Sequence, residues 1–80
     1  MRSIYNRKMT VYSLLHAAQL KYEAQIAEAD ATLEIYLNKS VGIGEHSDLL
    51  AEVDKYIELK ASAKDKLETL LEMKKTENSA

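Results

Sequence analysis

The residues best suited to chemistry are Glu45 and His46, adjacent in the one stretch without regular apolar spacing. A carboxylate beside an imidazole can hold a metal ion or move a proton. A metal site needs three or four converging ligands, and the only other histidine, His16, lies far earlier in the chain, which has no cysteine. His46 is therefore read as a structural residue that hydrogen-bonds its loop or the first turn of the next helix. Gly42-Ile43-Gly44 resembles a phosphate-cradling loop only superficially, because it lacks a preceding strand and a Gly-Lys-Ser/Thr ending. No nucleophile stands beside a base. The sequence argues against an enzyme, and no catalytic residue, metal or cofactor is assigned.

The five tyrosines, Tyr5, Tyr12, Tyr22, Tyr36 and Tyr56, are the only aromatic residues. Four of them fall in or beside apolar stripes, which suits a ring packed at a core rim with its hydroxyl in water. The elements that carry them are helices. There is no proline to interrupt a helix, and the only glycines, Gly42 and Gly44, sit two residues apart near the middle of 80 residues. One turn between two helical stretches is the arrangement this implies.

Thr10 offers a capping hydroxyl, and from there Val11, Leu15, Ala18, Tyr22, Ile26, Ala29, Leu33 and Tyr36 recur at steps of three and four. Leu20, Ala24, Ala27, Ala31 and Ile35 are read as a second line beside the first, widening the apolar face beyond one seam. In the second stretch Leu50, Val53, Ile57, Leu67 and Leu71 form one line, with Leu49, Tyr56, Ala63 and Leu70 alongside. Lys60 and Lys64 bridge that line with their aliphatic stems. Ser47 and Asp48 supply a cap and a negative charge for the second helix. The predicted layout is a basic leader over 1–9, a hairpin over 10–75 (helix 10–38, loop 39–47, helix 48–75) and a frayed tail over 76–80. Met9 is an alternative start to Met1. The fold class is all-α: an antiparallel two-helix hairpin, completed by oligomerisation into a helical bundle.

Thirteen acidic and eleven basic residues, interleaved to a net charge of −2, do not form the basic surface that nucleic acid requires. No apolar run approaches the roughly 20 residues needed to cross a bilayer, and the basic start lacks the apolar region of a secretory signal. Two helices bury only one stripe each, so the core is thin. With no disulfide to reinforce it, a partner chain is the remaining route to stability.

The segments Leu33-Glu34-Ile35-Tyr36-Leu37-Asn38, Val41-Gly42-Ile43-Gly44-Glu45-His46-Ser47-Asp48 and Ala61-Ser62-Ala63-Lys64-Asp65-Lys66-Leu67-Glu68 resemble small helical-hairpin proteins of tailed bacteriophages, including those of marine cyanobacteria. The similarity runs from about Val11 to Leu71, and its specific part is the loop Val41–His46. It implies a viral origin more than an activity, with Lys39 standing where such proteins are expected to carry proline.

The expected function is that of a non-catalytic structural protein. It would be a small virion component, a decoration or a head or tail accessory, docking through its apolar helix faces on copies of itself or on a larger virion protein. A C2 homodimer forming a four-helix bundle is the simplest closed solution. The alternative is a phage-encoded regulatory binder of a host protein. The virion or the host cytoplasm is the implied location. The expected interface residues are Leu15, Tyr22, Ile26, Leu33, Val53, Ile57, Leu67 and Leu71, each worth about 2–4 kcal/mol on truncation to alanine if fully buried.

Overall fold

Residues with good intrinsic helix propensity and no proline dominate both halves of the chain, and each half folds into one long helix. The structure, a computed structural model, describes the backbone of residues 7–38 and 46–79 and the side chains of residues 10–38 and 48–76. Helix α1 spans Arg7–Asn38 and helix α2 spans His46–Ser79. The two pack against each other as an all-α hairpin.

The direction of packing follows from contacts across the pair. Along α1, Gln19 meets Lys74, Tyr22 meets Lys66, Asp30 meets Lys60 and Tyr36 meets Tyr56. The α2 partner falls in number as the α1 residue rises, so the helices are antiparallel.

The helices are longer than the sequence reading places them. Thr10 is not a cap but lies one turn inside α1, because Arg7, Lys8 and Met9 are good helix formers and continue the helix backwards. They do so although two cations in a first turn oppose the helix dipole. His46 belongs to α2 as its first residue rather than to the loop, and Ser47 is a helical residue rather than the cap. Asp48 does stand in the first turn, where its charge suits the dipole. At the other end, residues 76–79 continue α2 rather than fray. The Thr76 hydroxyl donates to the Glu72 carbonyl oxygen one turn back, at 3.2 Å. Lys74 and Lys75 therefore lie before the last turn, which holds no basic residue. The loop glycines Gly42 and Gly44, and the rest of 39–45, lie outside the described residues.

Where the two helices touch, the residues are small. Ala29 and Ala63 are fully buried and Leu70 nearly so, and among the described residues these three are the whole buried core. On α1 the partly covered positions Val11, Leu15, Ala18, Tyr22, Gln25, Ala29, Thr32 and Tyr36 step by four and three in strict alternation. On α2 Leu49, Val53, Tyr56, Lys60, Ala63, Leu67, Leu70 and Lys74 do the same. That is the heptad spacing of a coiled-coil seam. Alanine at its centre lets the backbones approach, and the Tyr36 and Tyr56 rings, 6.1 Å apart and tilted by 44°, fill the wider gap toward the loop end.

Candidate interaction surface

Because the seam follows the heptad, each helix has two flanks, and the flanks differ in character. On α1, Ile26, Asp30, Leu33 and Leu37 turn to one side of the seam, and Ala18, Gln25 and Thr32 to the other. On α2, Leu50, Ile57, Lys64 and Leu71 stand at successive heptad steps on one flank, whereas Ser62, Lys66 and Met73 stand on the other. The antiparallel pairing brings the apolar flanks of both helices to the same side. Ile26 and Asp30 of α1 line one groove with Lys60, Lys64, Leu67, Glu68 and Leu71 of α2. Toward the loop end, Leu37, Leu49, Leu50 and Val53 line a second, apolar hollow.

This side of the hairpin is oily and open. Leu50 is 69% exposed, Leu37 60%, Ile57 52% and Leu71 46%, and Tyr12 lies on the same flank. Half-buried Ile26, Leu33, Val53 and Leu67 form its floor. The opposite side has Leu14, Ile35 and Met73 as its exposed large apolar residues. A hollow there, lined by Leu15, Ala18, Tyr22, Lys66, Leu70 and Met73 among others, is roofed by polar groups, with the Lys66 ammonium 5.8 Å from the centre of the Tyr22 ring. The eight expected interface residues thus divide. Ile26, Leu67 and Leu71 share one groove, Val53 lines the adjoining hollow, and Leu33 and Ile57 fall on that side by helical spacing. Leu15 and Tyr22 instead border the hollow on the polar side.

The α1 line Leu20, Ala24, Ala27, Ala31 and Ile35 is corrected by the structure. Leu20, Ala24, Ala27 and Ala31 lie not beside the seam but on the back of α1, Ile35 lies on the flank shared with Leu14, and all five residues are exposed. An offset of two residues from Tyr22, Ile26, Ala29 and Leu33 is about 200° of helical rotation, which is the opposite face rather than a neighbouring one.

Polar contacts tie the helices at three levels. Lys60 Nζ lies 2.6 Å from Asp30 Oδ1 at the middle of the open side, with both side chains partly in water. Near the open end Lys74 Nζ donates to Gln19 Oε1 at 2.7 Å and lies 5.0 Å from the centre of the Tyr12 ring. Lys66 over Tyr22 lies between these two levels. These lysine–tyrosine contacts escaped the sequence reading. The available signal was that lysines at Lys60 and Lys74 occupy seam positions, where an ammonium has to find an acceptor or a ring.

Among the described residues, no three His, Asp or Glu side chains converge as a metal-binding group. Neither helix is long and apolar enough over its described residues to cross a membrane. The Glu45 and His46 side chains lie outside the described residues. Compared with known protein families, curated proteins and solved structures, the chain matches none.

Proposed function

We propose that the chain is a non-catalytic assembly module, an antiparallel helical hairpin that docks through its open apolar side. The observation that carries this reading is the imbalance between what is buried and what is not. Three small or medium residues are buried, while Leu37, Leu50, Ile57 and Leu71 stand about half or more exposed on a single side. Contiguous apolar surface of this kind is characteristic of protein–protein contact sites. The tailed-phage resemblance of the Val41–His46 loop implies a viral origin, and within a phage a virion decoration or a head or tail accessory is the role we assign to such a module.

The test is an Ile57→Asp, Leu71→Asp double variant. It is expected to keep its helical circular dichroism and to lose association, both with itself and with purified phage particles in co-sedimentation. A wild-type chain that stays monomeric, binds no apolar dye and sediments with no particle would contradict the proposal.

A further inference from the structure

The open apolar side has a charge pattern that selects its occupant. Its α1 edge is acidic, with Glu23 and Asp30 one heptad apart along it and no lysine or arginine among its described residues. Its α2 edge carries Lys60 and Lys64, with Glu68 one turn beyond Lys64 and Asp54 and Lys75 toward the two ends at the same helical position as Glu68. Lys60 is held by Asp30 of the same chain. Lys64 lies in the groove beside Ile26, at a level midway between Glu23 and Asp30, and among the described residues it has no carboxylate within salt-bridge distance. At mid-length the surface therefore sets the cation of Lys64 on the α2 edge level with the gap between two carboxylates on the α1 edge, a pattern complementary to itself after a half-turn about the long axis of the hairpin.

We infer that a second copy of this chain covers the open side, with α1 of each copy lying over α2 of the other and both hairpin turns at the same end. This deepens the assembly reading and rests on it. In this arrangement Lys64 meets Glu23 and Asp30 of the second copy, Leu33 stacks at the level of Ile57, and Leu37 at the level of Leu50 and Val53; Glu68, level with Glu23 of the second copy, is its one like-charge contact. The other closed two-fold arrangement, with turns at opposite ends, lays α1 on α1 and α2 on α2. With Glu23 against Asp30 of the second copy it sets Lys64 against Lys64, and these like-charge contacts outnumber the one attractive contact it makes, Lys60 with Glu68. A mid-length charged layer between apolar layers also fixes register, because sliding the copies by one turn buries an unpaired ammonium. The available area is adequate. A face two helices wide and about 40 Å long offers about 800 Å², which is what each partner of a standard-size interface buries.

The chain has no cysteine, so Asn38→Cys, an exposed position near the turn, carries a single spin label. The labelled chain is expected to dimerise with a label–label distance within about 25 Å, whereas turns at opposite ends, with Glu23 level with Asp30 of the second copy, set the labels about 35 Å apart at the helical rise. Lys64→Glu is expected to weaken the dimer at least tenfold without loss of helicity, and Lys64→Glu with Glu23→Lys to recover most of it. Glu68→Lys, which adds a cation facing the acidic edge, is expected to tighten it. A dimer with the long distance, or one that Lys64→Glu leaves unchanged, overturns the inferred arrangement while the assembly reading stands. A monomer that binds an apolar dye overturns self-pairing and leaves docking on another protein. A monomer that binds none overturns both.

Discussion

The seam between the helices and the open side next to it use opposite materials. The seam is closed by Ala29 and Ala63, with Leu70 toward the open end of the hairpin. The open side presents Leu37, Leu50, Ile57 and Leu71, the larger and oilier residues, to solvent. If the hairpin were built to be stable alone, the reverse assignment would bury more apolar area at about 25 cal/mol per Å². Small residues bring two backbones together and large ones reach across to a neighbour, so the distribution suits a hairpin that is half of a bundle.

The comparison breaks most severely at the seam. Ala63→Asp places a carboxylate where the native methyl is 1% exposed, with a helix backbone against it. Unpaired burial of that charge costs several kcal/mol, and loss of the helical circular dichroism at room temperature is the expected outcome. Leu70→Ala removes a side chain that is only 4% exposed. Thermal melts should show it destabilised by about 2–4 kcal/mol, the usual range for such a truncation.

On the open side the same kind of change should act elsewhere. Ile57→Ala is expected to leave the dilute, dissociated chain within about 0.5 kcal/mol of its original stability. At high concentration, sedimentation should show its association weakened by tenfold or more. Equal effects on folding and association would erase the distinction between the two regions. The smallest effect belongs to Asp30→Asn. Its ion pair with Lys60 is partly exposed, with side chains 52% and 37% accessible. Such pairs contribute about 0.2–1 kcal/mol, and high salt should remove most of the difference between variant and wild type.

The helices were legible in the sequence because absence of proline and a three-four apolar rhythm leave little alternative. Their outer boundaries were less so. Thr10 and Ser47 look like caps, but good helix formers before Thr10 continue the helix backwards, and a capping residue does not end a helix that its neighbours can extend. The seam was legible in its period and not in its centre. Ile26, Leu33, Ile57 and Leu71 dominate any ranking by hydrophobicity, so the sequence line runs through them. The helices close instead on Ala29 and Ala63, because the closest approach falls where side chains are smallest. A broad stripe fixes which residues share a face and leaves open which edge of it meets the neighbouring helix. The misplacement of Leu20, Ala24, Ala27 and Ala31 was avoidable, since a two-residue offset already places them behind α1. That Lys74 would need a ring or an acceptor was legible from its seam position, but which tyrosine each lysine meets depends on the relative register of the helices.

The central claim is that the open apolar side is covered by association, and mass in solution as a function of concentration tests it most directly. Sedimentation equilibrium of the full chain across the micromolar range should give twice the chain mass, falling toward one chain on dilution and on introduction of Ile57→Asp. A single-chain mass throughout that range, with cooperative melting and no apolar dye bound, would contradict it.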